Sequence, residues 1–226
     1  MPAKRLVGPA QRQSPRLEEE RTHRVGDELS DHDVLEAVDW TDDAPGAADG
    51  VEILGSRLTR ITLTGLELAK LQLVDVELIE CELSGAVLVD ARWERVVLRR
   101  CRLSGLVAAE LHATDVLVQD CKADQAWLRS SVLDRCELVD ADLHDTDLHS
   151  ARVTRTAFRR CDLTGLDVTA SHFEQVSLHG STVDRLKGAD SLRGCTIGSD
   201  QLVPLSLPIL GARGIKVDDE VPDLAE

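Results

Sequence analysis

The sequence predicts an all-β solenoid, a chain wound into a rod of short-sided coils. Between Ile53 and Val183 every fifth residue is apolar, 27 positions in succession of which 16 are Leu. The residues two places before them are uncharged and mostly small, among them Cys81, Ala86, Ala91, Cys101, Cys121, Ala141, Ala151 and Cys161. No proline falls between Pro45 and Pro204, so every repeat keeps its N–H for pairing between coils.

A period of five suits neither regular element. At about 100° per residue, five residues carry a helix through about 500°, so the apolar set would precess around the surface. In a flat strand an odd step flips the side chain to the opposite face each time, and half the leucines would meet water. A chain that turns a corner once per repeat instead presents the central residue, and the one two before it, to a common axis. The six glycines within residues 51–187 (Gly55, Gly65, Gly85, Gly105, Gly165, Gly180) all follow a central residue by two places. That is where a corner needing φ > 0 belongs.

The units Ala141-Asp142-Leu143-His144-Asp145, Cys161-Asp162-Leu163-Thr164-Gly165, Cys81-Glu82-Leu83-Ser84-Gly85 and Cys101-Arg102-Leu103-Ser104-Gly105 resemble the A(D/N)LXX units of the pentapeptide repeat family. The resemblance implies a right-handed quadrilateral β-helix with four units per coil. Over residues 51–187 that makes about seven coils, a rod of roughly 32 Å at the spacing of paired strands. The fold needs neither cofactor nor disulfide.

Taken in order, residues 1–25 are polar and charged, with Glu18-Glu19-Glu20, and are expected as a disordered tail. Residues 26–50, with Leu29, Val34, Leu35, Val38 and Trp40, are expected to cover the open edge of the first coil. Residues 51–187 form the β-helix. Residues 188–226 are expected as a C-terminal cap with a short helix and an acidic tail. There Leu192, Ile197 and Leu202 fall one residue out of frame, and Ser199-Asp200-Gln201-Leu202 reads as a helix N-cap. Pro204 and Pro208 limit that helix. In several members of the family a helix at this end joins two subunits, so Leu202, Leu205, Ile209 and Leu210 are the candidate cap or dimer helix and a homodimer is expected.

Composition bounds the function. The 226 residues include two Phe, three Trp and no Tyr, too few aromatics for an ordinary globular core of this size. Six Cys stand without a signal peptide or an apolar stretch of membrane-spanning length, so a cytoplasmic protein with reduced thiols is expected, with no membrane partner. Cys81, Cys101, Cys121 and Cys161 are separated by multiples of 20 and would share one inward column, as filler. The formal charge is −15. Gyrase-protecting members of the family are acidic dimeric rods shaped like duplex DNA, which makes DNA gyrase a candidate partner. The charge lies mostly outside the repeats, however: −6 over residues 1–50, −5 over 51–187 and −4 over 188–226. Arginines cluster at Arg92, Arg95, Arg99, Arg100 and Arg102, and again at Arg152, Arg155, Arg159 and Arg160, where a phosphate mimic should be acidic. The candidate acidic patch is Glu137, Asp140, Asp142, Asp145 and Asp147. Nucleic acid itself is not expected as a partner, since the basic clusters lack interleaved aromatics.

Positions 20 apart align if the four-sided coil holds. Val87, Val89, Val107, Ala109 and Trp127 then flank the central residues 88, 108 and 128 as an outward apolar strip, the candidate protein-interaction face. No nucleophile with a base, metal cluster or phosphate loop has supporting context. His144 and His149, beside Asp142, Asp145 and Asp147, sit at outward positions on successive sides. The sequence therefore reads as a non-enzymatic, cofactor-free scaffold or protein-binding module. Two alternatives stay open: a DNA-mimicking modulator of gyrase, and a structural protein that associates with itself through the apolar strip.

Overall fold

The computed structural model describes residues 11–24 and 28–218. Within them the chain winds into the expected four-sided parallel β-solenoid, closed by one short C-terminal helix. The register shows the period directly. Strand β1 (Thr22–Arg24), β2 (Val34–Glu36), β3 (Val38–Thr41), β4 (Glu52–Leu54) and β5 (Arg57–Thr59) lead into two longer strands, β6 (Gln72–Ile79) and β7 (Arg92–Arg99). β6 lies on β7 with Leu73 opposite Trp93 and Leu78 opposite Leu98, 20 residues on. On the other two sides the coils meet through single bridges, such as Glu82 to Arg102 and Val87 to Val107. Four sides of five residues make one coil.

The corners explain the period. Every fifth residue from Gly55 to Arg185 has a positive φ, between 50° and 61° at the non-glycine positions from Arg60 to Arg185. This left-handed conformation costs an L-residue about 1–2 kcal/mol, and none of these corners carries a residue branched at Cβ. At Gly165 an added Cβ would also meet Asp145 Oδ1, the free end of a carboxylate that can turn aside.

Both predicted inward columns are buried. Leu58, Leu68, Leu73, Leu78, Leu88, Leu98 and Leu163 of the central column lie almost wholly out of water, each worth about 1.5–3 kcal/mol of transfer free energy. The column two places earlier holds the small residues, and its polar members find carbonyls either two residues back, as Ser56 Oγ does at Leu54 O and Thr156 Oγ1 at Thr154 O, or in the coil below. Ser131 Oγ donates to Ala108 O at 3.2 Å, Thr146 Oγ1 to Ala123 O at 3.0 Å and Cys101 Sγ to Leu78 O at 3.4 Å, in each case 23 residues back in the coil below. Such pairing removes the penalty of a buried polar group.

The core is thin where the central residues are Ala. A cavity of about 70 Å³ lies among Trp93, Ala113, Ala123, Leu128 and Leu143. Trp93 is buried against it, and its indole Nε1 has no hydrogen-bond partner.

The two ends depart from the 20-residue step. β4 and β5 pair with β2 and β3 at a spacing of 18 (Val34 with Glu52, Asp39 with Arg57), and β1 pairs with β3 at 16 (Thr22 with Val38). With these coils added to the seven expected over residues 51–187, the solenoid makes about nine turns. The shortened coils escape a test for period five, yet they bury Leu35, Val38 and Trp40 like the rest. At the far end Val176 pairs with Cys195, a step of 19, which is the one-residue shift of Leu192 and Ile197.

Residues 11–24 are not the expected disordered tail. They run lengthwise along the rod, from the coil of Asp115 to that of Asp39, before entering β1: Gln13 N donates to Asp115 Oδ1 at 3.0 Å, Arg16 N to Asp75 Oδ1 at 2.9 Å and Arg21 Nε to Asp39 Oδ1 at 2.9 Å. Carboxylates on the rod supply the acceptors that a polar segment cannot find in itself. The remainder of that tail (residues 1–10 and 25) and the acidic end at 219–226 lie outside the described residues.

Two outcomes are expected. Ala123→Val, which extends the side chain into the cavity, should raise stability by about 1 kcal/mol, whereas Leu143→Ala beside it should cost about 2–5 kcal/mol; denaturant midpoints decide both. Burial raises the Asp75 and Asp115 carboxyls, but hydrogen bonds from Arg95 and Arg135 and from the backbone at residues 16 and 13 outweigh it, leaving both below the usual carboxylate range. A folded pKa below the unfolded value of about 3.9 gives stability that is complete above that pH and is lost as pH falls through the folded value. Thermal midpoints should thus fall below about pH 4, and less steeply in Asp75→Asn/Asp115→Asn.

Candidate protein-interaction face

The sides of the coil sort the outward residues into columns. Bridges run Glu67 to Val87, Val87 to Val107, Val107 to Trp127, Trp127 to Asp147 and Asp147 to Asp167, so three apolar residues stack between charged neighbours. Val89 and Ala109 lie beside them on the same side, near the next corner. Trp127 is 55 % exposed and Val89 39 %, while Val87, Val107 and Ala109 are half-buried. The Arg129 guanidinium lies 5.7 Å from the Trp127 ring centroid and its Nε pairs with Asp147 Oδ2 at 2.6 Å, so a cation and an acid border the strip. The described part of the N-terminal segment, residues 11–24, follows a different corner, that of residues 55, 75 and 115, and does not cover this side.

The acidic patch does not form one acidic face. Glu137 and Asp140 lie on one side of the coil, Asp142 and Asp145 on the next and Asp147 on the one after. Most are matched by a base: Arg160 Nη2 lies 2.6 Å from Asp140, Arg129 Nε 2.6 Å from Asp147, His144 Nδ1 2.7 Å from Asp142 and Arg159 Nη2 3.9 Å from Glu137. The bond to Asp142 raises the pKa of His144. The Arg160 guanidinium holds Asp140 below the usual carboxylate range.

Helix α1 (Leu202–Ala212) follows a 3₁₀ turn at Ser199–Gln201. The expected N-cap at Ser199 is not formed by its side chain. Gly198 precedes the turn, and its N–H donates to Gln201 Oε1 at 2.8 Å. Buried Gln201 fixes the helix to the rod, its Nε2 donating to Leu178 O and Ser181 O, both at 2.6 Å. Of the four candidate helix residues Leu205 is buried and serves as the plug, because it is the position that faces the last coil. Leu202 and Ile209 are exposed and Leu210 is half-buried. The candidate set leaves out Val203 (81 % exposed) and Leu207 (62 %), two apolar residues of the same helix; their spacing of four was the available signal.

Six cysteines are free, five of them buried. Cys81, Cys101 and Cys121 share the inward column, with Cys101 N donating to Cys121 Sγ at 3.3 Å. Burial pushes the Cys136 and Cys195 thiols up to about 12, the wrong direction for a thiolate nucleophile. Among the described residues no three His, Cys, Asp or Glu side chains are grouped to hold a metal ion, and no helix is long and apolar enough to cross a membrane.

These features define a class: a four-sided parallel β-solenoid of stacked five-residue units that displays its outward residues as columns. The stacked units are pentapeptide repeats: the family model described as Pentapeptide repeats matches the chain in 8 copies, over residues 77–106, 126–165 and 141–180. No curated protein sequence matches the chain. Similar solved structures include a trypsin-treated form of QnrB1, a plasmid-mediated fluoroquinolone resistance protein, at 17% identity and TM-score 0.40, covering 88% of this chain and 97% of that one. Another is HetL, a pentapeptide repeat protein involved in heterocyst differentiation regulation from the cyanobacterium Nostoc sp. strain PCC 7120, at 17% identity and TM-score 0.29, covering 75% of this chain and 91% of that one.

The strip is surface rather than core, so Trp127→Asp should change stability by less than about 0.5 kcal/mol. Trp40 and Trp93 are buried, so the variant should also lose the solvent-exposed, red-shifted component of tryptophan emission. A large drop in thermal midpoint would make Trp127 part of the core instead.

Proposed function

We propose that the protein is a non-catalytic scaffold that binds a protein partner through the side bearing Val87, Val89, Val107, Ala109 and Trp127. One observation carries the reading: an apolar column, bordered by Arg129 and Asp147, that none of the described segments covers, whereas the other outward apolar stack, Val97 on Leu117, is buried. An aromatic anchor with a charged rim is the common composition of protein interfaces. Pairing of two rods through Leu202, Val203, Leu207 and Ile209 is a separate contact at the C-terminal end and accounts for the exposed face of α1. The free thiols suit a reducing, cytoplasmic setting.

The gyrase reading is disfavoured by the pairing of Glu137, Asp140, Asp142 and Asp147 with bases and by their spread over three sides. A DNA mimic needs unpaired carboxylates along one face.

The test separates the surfaces. A bound protein should be retained by the wild type and by Leu207→Asp, and lost with Trp127→Asp at unchanged thermal stability. Sedimentation should show a dimer that Leu207→Asp dissociates and Trp127→Asp does not. Equal retention by Trp127→Asp overturns the interaction face, and dissociation by Trp127→Asp in place of Leu207→Asp makes the strip a self-association surface. In a DNA gyrase supercoiling assay the protein is expected to be without effect; inhibition relieved by added DNA would restore the mimic.

A further inference from the structure

The corner under the N-terminal segment carries one residue per coil: Gly55, Asp75, Arg95, Asp115 and Arg135. The charged members alternate in sign, and they form the same clamp twice. Arg95 donates to Asp75 through Nε and Nη2, both at 2.7 Å, and Arg135 donates to Asp115 through Nε at 2.9 Å and Nη2 at 2.8 Å. Each aspartate then accepts one main-chain N–H from the segment, Arg16 on Asp75 and Gln13 on Asp115.

Two periods coincide here. Asp75 and Asp115 are two coils apart, about 9.6 Å at the spacing of paired strands. Their donors are three residues apart, and three residues of polyproline-type chain advance about 9.3 Å. A straight extended segment can therefore satisfy both clamps without bending. Pro15 lies between the donors, where no N–H is used. Because both donors are main-chain groups, the clamps select a backbone conformation and the position of its N–H groups. Arg16 adds a cation beside Asp75 and Arg12 one beside Asp115. None of residues 11–18 is buried, so the segment rests on the rod and is not built into it.

We propose that this corner is a peptide-binding groove for an extended, cationic, polyproline-type segment with N–H groups free at every third residue. Residues 11–18 are its resident ligand, and they exchange with the same sequence supplied in trans. The groove lies on a different edge from the Trp127 strip, and its occupancy is independent of any partner bound there.

A proline walk in the full-length chain tests this. Gln13→Pro/Arg16→Pro removes the two N–H groups that the clamps use, and Ser14→Pro removes one that they do not. Hydrogen exchange should show the Thr22 amide, which donates to Ala37 O at 2.8 Å, deprotected in the double variant, protected in Ser14→Pro, and the coils unchanged in both. A fluorescein-labelled peptide of residues 9–18 should bind the double variant. It should bind the wild type and Ser14→Pro more than about tenfold more weakly, because a tethered segment competes at high effective concentration. The same peptide with proline at both 13 and 16 should not bind. Deprotection by Ser14→Pro equal to that of the double variant, continued protection in the double variant, or a released groove that fails to take the peptide would each overturn the proposal.

Discussion

A left-handed corner recurs at every fifth residue from Gly55 to Arg185, and the rest of the structure depends on it. The corner breaks the strand before alternation can send a side chain to the wrong face. It also returns the chain to its starting direction after four sides, so residue i lies on residue i+20. Each corner costs conformational energy, and only a continuous apolar axis with complete pairing between coils can offset that cost in every coil. Corners, axis and ladder therefore stand or fall together, and an isolated unit would have no reason to fold.

Stacking at 20 residues also governs the charges. In five pairs an acid is met by an arginine one coil later: Asp75 by Arg95, Glu77 by Arg57 in the opposite order, Glu80 by Arg100, Asp115 by Arg135 and Asp140 by Arg160. Unpaired, a column of like charges at strand spacing would repel along its whole length. Alternation resolves this in these columns, although Asp142 over Asp162 and Asp147 over Asp167 still stack like charges. The surface left with distinctive chemistry is apolar, at Val87, Val107 and Trp127.

The sequence is legible where it repeats. Central and small inward columns, corners and the thin stretch around Ala108, Ala113 and Ala123 all follow from counting in fives, and so does the stacking of the Val87 to Trp127 column once four units make a coil. What was illegible is aperiodic. The coil holding Trp40 steps by 18, so its residues fall out of frame with the later columns. The N-terminal segment has no hydrophobic pattern, and its acceptors Asp75 and Asp115 lie 59 and 102 residues away from their donors. In the helix, Pro204 and Pro208 blurred the face assignment, and Leu205 turned inward while Val203 and Leu207 turned out.

The five-residue side has a consequence for how such a chain can change length. Gain or loss of one unit leaves core, corners and pairing intact, yet it rotates every later outward column by a quarter turn relative to the earlier ones. Lost between Val87 and Arg102, one unit would bring Trp127 onto an edge neighbouring that of Val87 and put Arg102 out of line with Glu82, its present partner. Only changes in multiples of four units keep a recognition column in line. Duplication can thus lengthen the rod freely, while a surface already in use ties the chain to whole coils.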